Sequence, residues 1–275
     1  MTDNTFSITN TVTVPIRGVK KERVFLHVSD AHVAFAYPDD SQAEHEHAKN
    51  QTALWTQSDI APINAFKSFI ALANDKKPDG VFLVGDMIDY YTASNVKYLE
   101  ELLGELDSEY VYTWGNHENG SYGLPLPSNE EMRQTIAPRM HGCTDFYVKD
   151  HDDFLLVAID NSGFDINDTL FGRVEQVIAT GRPIILLMHV PISTPEFDKV
   201  AWSTLDKDER TKPSAIKFAQ MLRNSDNIVC IIAGHEHFAW CGEFAPGRYQ
   251  YVSAPCFKRF VQEIRVVPWE DKTNT

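Results

Sequence analysis

The sequence predicts an α/β protein built from two packed mixed β-sheets with flanking helices, and three observations carry that reading. Val81-Phe82-Leu83-Val84 is a continuous apolar run that reads as a strand buried on both faces. It stops at Gly85, and Asp86 follows at once. The same order of buried strand, turn and metal-binding residue recurs: 24–29 runs into Asp30-Ala31-His32, 110–114 into Gly115-Asn116-His117-Glu118, 184–188 into His189, and 228–233 into Gly234-His235-Glu236-His237. The C-terminal edge of a buried parallel strand is where open α/β sheets place their ligands. Lastly, residues 240–267 alternate in polarity and turn at Pro246-Gly247, as an antiparallel set does.

The elements follow in order. Thr11-Val12-Thr13-Val14 alternates and reads as a half-exposed strand. Residues 33–61 form a polar insertion without a clear period, read as a lid or substrate segment. Pro62 marks a helix start, and Ile63, Phe66, Phe69, Ile70 and Ala73 keep helical spacing to about Asn74. A second helix is expected over 93–106 through Val96, Leu99, Leu103 and Leu106. After the loop 120–127, Ser128-Asn129-Glu130-Glu131 is an N-cap signature for a helix to about Met140. Residues 146–148 and 154–159 read as a hairpin within a mixed sheet. Helices are expected over 171–179 and 215–222, with a long loop at 190–212. The closing strands are 240–244, 249–252 and 260–267, read together as one antiparallel group.

Bulk properties limit the function. With 275 residues, 43% apolar and 23% charged, the chain fits one domain spanning 1–275. It has no apolar run long enough to span a membrane. Residues 1–5 lack the basic and apolar regions of a secretory signal. Cys143, Cys230, Cys241 and Cys256 form no Cys-x-x-Cys pair, so a reduced, cytoplasmic protein is expected. A net charge of −14 with only short basic runs argues against long nucleic acid as a partner.

Asp30, His32, Asp86, Asn116, His189, His235 and His237 form a mixed N/O set suited to Mn, Fe or Zn. Asp-x-His and His-x-His place residues at i and i+2, which share a direction if the chain there is extended. The set is too large for one ion and suits two that share a carboxylate. Two such ions supply a hydroxide nucleophile at neutral pH and offset phosphoryl charge.

Through these five blocks, over about residues 24–252, the sequence resembles the calcineurin-like metallophosphoesterases. The resemblance implies a four-layer α/β/β/α sandwich and a small-molecule phosphate ester as substrate. It implies one metal on Asp30, His32 and His237 and the other on Asn116, His189 and His235, with Asp86 bridging. His117 is similar to the family's non-ligand histidine, which contacts the phosphate and protonates the leaving group. Asp89, three residues after Asp86, matches the aspartate that pairs with that histidine in the protein phosphatases. Tyr90-Tyr91 stand where those enzymes carry Arg-Gly, and Asp89 stands where purple acid phosphatases carry a tyrosine ligand. A phosphodiesterase for a small or nucleotide-like substrate is therefore expected, ahead of a phosphomonoesterase and of a non-catalytic scaffold.

Other residues receive smaller roles. Glu118 and Glu236 are expected beside the ligands or at the surface. His45 and His47 read as a solvated helix face, and His27 as core or ligand support. Asp160-Asn161 ends a strand at the same edge or forms a turn. Phe35, Tyr37, Trp55, Tyr122 and Trp202 would either stack on substrate or pack as core.

Overall fold

The computed structural model describes residues 6–56, 60–142 and 145–270. Residues 1–5 and Cys143, used above, lie outside the described residues, as do residues 57–59 of the polar insertion. One sheet runs, in spatial order, β1 (Asn10–Ile16), β11 (Gln262–Pro268), β2 (Arg23–Val28), β3 (Gly80–Val84) and β4 (Tyr110–Thr113). The other runs β5 (Phe146–Asp150), β6 (Leu155–Ile159), β7 (Ile184–Leu187), β8 (Ile228–Ala233), β10 (Arg248–Val252) and β9 (Trp240–Ala245).

The unbroken apolar runs are explained by burial on both faces. In β3, Val81 and Leu83 pack with helices α2 (Pro62–Lys76) and α3 (Ala93–Leu103). Phe82 and Val84 point the other way, into a layer shared with Leu156, Ile185 and Ile232 of the second sheet. On that sheet, Ile184 and Leu186 face helices α5 (Asp168–Ile178) and α6 (Pro213–Asn224). Three apolar layers thus separate helix, sheet, sheet and helix, the four-layer sandwich expected from the resemblance.

Several boundaries moved. Helix α3 stops at Leu103, because Gly104 closes it with tight turns, although Leu106 still packs on the core and kept the apolar spacing going. Helix α4 (Asn129–Ile136) has the expected Ser128–Glu131 capping box but ends before Met140. The polar insertion contains a 14-residue helix, α1 (Gln42–Trp55), which has no apolar stripe to reveal it. It starts with a capping box between Ser41 and Glu44 and buries only Ala48 fully. His45 on it is exposed, whereas His47 is half-buried with its ring 4.4 Å from that of Tyr90, so the solvated reading fails for His47.

The closing strands do not form one antiparallel group. β9 and β10 make the expected hairpin, but β11 crosses to the first sheet, antiparallel to β2 and parallel to β1. Alternation says which face of a strand is buried; Ile264 and Val266 satisfy it equally well against Phe25 and Val14.

Candidate metal centre

β2, β3 and β4 are parallel neighbours in one sheet, as are β7 and β8 in the other, so their C-terminal ends share an edge. The two edges meet. His189 Nδ1 donates to the Val84 carbonyl at 2.8 Å, and the backbone N–H of His235 donates to Asp30 Oδ2 at 3.1 Å. Ser29 Oγ lies 2.5 Å from Asp30 Oδ2 and 2.6 Å from Ser253 Oγ, tying β2 to the end of β10.

Three groups of side chains converge there: Asp30, His32 and His237; Asp86, His189 and His235; and His32, Asp86 and His117. Asn116 precedes His117, whose backbone N–H donates to Asp86 Oδ1 at 2.8 Å. The Asn116 Nδ2 donates to the Tyr122 hydroxyl at 3.2 Å, which leaves Oδ1 available.

The fit to cations is visible in what lacks a partner. Asp30 Oδ1, Asn116 Oδ1, His189 Nε2 and His235 Nε2 are buried with no hydrogen-bond partner among the described residues. His189 Nε2 is 3.1 Å from Asp86 Oδ2, within ion-pair range but without hydrogen-bond geometry. His32 Nε2 and His237 Nε2 face each other at 3.1 Å. Their opposite nitrogens are anchored where a partner is seen: His32 Nδ1 is 2.8 Å from Asp89 Oδ1. Such outer contacts orient an imidazole for a metal.

Electrostatics point the same way. Burial opposes ionisation of Asp30, but the His237 and His189 rings outweigh it and lower its pKa to about 2. Burial likewise opposes ionisation of Asp86, and His189 and His117 hold it well below the usual carboxylate range. For His189 burial works against the charged ring, yet Asp86 and Asp30 raise it to about 10. For His117 the same contest, decided by Asp86 and Asp89, ends near 9. The carboxylates therefore gather positive charge, and cations entering here displace protons.

The local backbone differs from the expectation of extended i, i+2 pairs. Asp30, His32, Asp86, His235 and His237 have φ of 53°, 47°, 53°, 73° and 54°, all left-handed. Asp30 and His32 still share a group, but His235 and His237 fall in different ones. Such conformations cost of order 1–3 kcal/mol each and persist where surrounding structure holds them.

Gly85 shows how close the approach is. Its φ is +74°, and a Cβ there would lie 2.3 Å from His189 Nδ1 and 2.9 Å from the Gly115 Cα. Gly85→Ala is expected to lower stability by about 2–4 kcal/mol, from left-handed strain plus displacement of His189. Urea unfolding of the metal-free variant measures it, and a loss below about 0.5 kcal/mol would show that the site relaxes freely.

Sequence reasoning underrated Glu118. It is fully buried, and its carboxylate accepts the backbone N–H groups of Asp86, Met87 and Gly115 at 2.8–3.0 Å and the Tyr112 hydroxyl at 2.6 Å. It braces the turn that presents Asp86. Glu236 is also buried and accepts the backbone N–H groups of Trp202 and Ser203, fastening the 190–212 loop. Neither lies at the surface. Asn161 clasps both backbone groups of Val190, the residue after His189. His27 is buried against Gln262, while His141 and His151 pack elsewhere on tyrosine and phenylalanine rings.

The aromatics divide. Phe35 stacks on Tyr98 at 3.7 Å, with Tyr37 beside it. Trp55 stacks on His32 at 4.3 Å, Tyr122 on His117 at 4.3 Å, and Trp202 lies 4.5 Å from His235. Tyr122 and Trp202 remain 50% and 61% exposed. Their exposure at a predicted ligand's side was not readable from polar loops.

A two-sheet sandwich gathers His and Asp side chains at the shared sheet edge, an arrangement suited to holding metal ions. A sequence profile described as calcineurin-like phosphoesterase matches residues 23–266. The chain belongs to that family, whose members use two metal ions. A dimetal phosphatase from Danio rerio is similar in structure, with a TM-score of 0.58 at 13% identity over 92% of this chain and 94% of that one. GAP50, the anchor in the inner membrane complex of Plasmodium, has a TM-score of 0.53 at 11% identity over 85% and 71%. A search of curated proteins found no match. Among the described residues, no helix is long and apolar enough to cross a membrane.

Proposed function

We propose that the chain, acting over 1–275 as one phosphoesterase domain with 33–61 as its lid or substrate segment, hydrolyses a small or nucleotide-like phosphodiester. Asp30, His32 and His237 would hold one cation and Asn116, His189 and His235 a second, with Asp86 between them. Mn, Fe or Zn suits this donor set. The convergence of Asp86 with histidines from both sheets is the observation that carries the reading. When bound, two such ions turn water into a nucleophile at neutral pH and offset phosphoryl charge. His117, stacked under Tyr122, would protonate the leaving oxygen, with Asp89 orienting it.

Charge supports a diester. Two divalent ions, two carboxylates and a hydroxide leave about +1 at the phosphate, which suits a monoanion. A monoester dianion is better served by an arginine clamp. Arg210 is engaged with Asp208 at 2.7 Å and lies 3.8 Å from the Phe164 ring; Arg173 lies 5.9 Å from that of Phe146. The exposed rings of Tyr122 and Trp202 offer stacking faces for a flat group on the ester. Bis-nitrophenyl phosphate is expected to be cleaved faster than nitrophenyl phosphate at equal concentration. A clear reversal would make the protein a monoesterase.

The similarity to an anchor protein favours a second reading, a non-catalytic scaffold on the same fold. The unpartnered buried donors argue against it. Chelation is expected to abolish hydrolysis, and Mn²⁺ to restore it. Full activity in protein shown by elemental analysis to be metal-free would sink the metal-dependent reading, and two bound metals without turnover would favour the scaffold.

A further inference from the structure

We propose that Trp55 is a positioning residue: its indole N–H fixes the carboxylate of Asp89, and through Asp89 sets the rings of His32 and His117. The role in catalysis rests on the function proposed above; the contact does not.

Trp55 is the last residue of α1, within the insertion that the sequence reads as a lid or substrate segment. Its Nε1 donates to Asp89 Oδ1 at 2.6 Å. The same oxygen lies 2.8 Å from His32 Nδ1 and 3.2 Å from His117 Nδ1. Two N–H groups from separate parts of the chain therefore meet one buried oxygen, and the His117 ring, whose Nδ1 donates to the Asp89 carbonyl at 2.6 Å, lies within ion-pair range of it. The indole ring also lies flat on His32, edge-on to His237 at 5.1 Å, and against Phe257 at 5.3 Å. One side chain thus covers the rings of His32 and His237 and holds the acceptor between His32 and His117.

The physical consequence is rigidity. A carboxylate between two rings alone can swing toward either. The indole N–H, held by stacking on the His32 ring in the turn after β2, gives the oxygen a further fixed direction. It also keeps water off the pair, which strengthens each hydrogen bond. Besides Trp55, helix α1 meets the body through Ala48, its one buried residue, and through His47, whose ring packs on Tyr90. A phenylalanine at 55 would keep the stack and lose the donor.

The test uses the whole chain with Trp55→Phe, Asp89→Asn and their combination. On diesters with alkyl leaving groups, Trp55→Phe is expected to lower kcat about tenfold with little change in KM, a fraction of what a general acid contributes. The loss on bis-nitrophenyl phosphate should be smaller, and metal content unchanged. The double variant should be no slower than Asp89→Asn alone, because both changes break one link. A readout independent of turnover is the Trp55 indole N–H resonance of labelled, metal-free protein, assigned through its own backbone. It should shift upfield in Asp89→Asn while the other indole signals stay. An unmoved resonance, or fully additive kinetic losses, would overturn the proposal. A protein that hydrolyses no ester would remove the proposed function, and the resonance alone would then judge the Trp55–Asp89 link.

Discussion

Asp86→Asn is expected to reduce kcat/KM by about a thousandfold or more and to strip the protein of both metals, the largest effect of any single substitution here. Loss of a residue that merely orients a ligand already costs 10–100-fold in metal affinity or activity, by rough general experience. Asp86 is placed to do more. Its Oδ2 is 3.1 Å from His189 Nε2, its Oδ1 receives the His117 backbone N–H, and it belongs to two of the three converging groups. Replacing it by an amide keeps the shape but removes one negative charge from between two cation positions, where repulsion is greatest. Asp30→Asn affects one group and should retain one metal. Elemental analysis after gel filtration, beside kinetics, measures both. Two metals at wild-type affinity in Asp86→Asn would show that Asp86 does not bridge.

His117→Asn is expected to slow alkyl-leaving-group esters by about 10²–10⁴-fold and nitrophenyl esters by less than about tenfold. The leaving oxygen needs a proton in proportion to its basicity, and nitrophenolate needs little help. The geometry leaves one nitrogen for this task. His117 Nδ1 is held by the Asp89 carbonyl at 2.6 Å and by Asp89 Oδ1 at 3.2 Å, so Nε2 is the free end. Asp89→Asn should produce the same pattern more mildly. His117 also converges with His32 and Asp86, so the alternative is a ligand role. Unchanged metal content in His117→Asn supports the acid; loss of a metal makes His117 a ligand. Equal losses on both ester types would leave it a plain contact to the phosphate.

Several features were readable from short stretches because they are decided within short stretches. The run Val81–Val84 had to be covered on both faces, since water on either side would leave its apolar residues exposed. Ser128 and Glu131 satisfy each other's backbone groups without help from elsewhere. The order of strand, turn and His, Asp or Asn could be recognised five times because each copy is complete in itself. That put Asp30, His32, Asp86, Asn116, His189, His235 and His237 on a list before any contact was known.

Which of those residues face one another was not local. His235 and His237 are two apart in sequence, yet they turn to different groups because left-handed backbone replaces the extended geometry assumed for them. Glu118 was left between a place beside the ligands and the surface because two of its donors, the backbone N–H groups of Asp86 and Met87, come from a distant turn and join Gly115 and Tyr112 nearby. Helix α1 had no apolar period to read, because it rests on the body by a few side chains and not along a stripe. Trp55 gains its meaning from Asp89, 34 residues away, and from His237, which arrives on the other sheet. The sequence by itself determined the strands, the caps and the inventory of candidate ligands, since backbone propensity and burial act on neighbours. The tertiary structure decided which sheet took β11, which atoms were left unpartnered, and which ring covers the centre. Those depend on packing between segments far apart in the chain, where no local pattern is required to record the outcome.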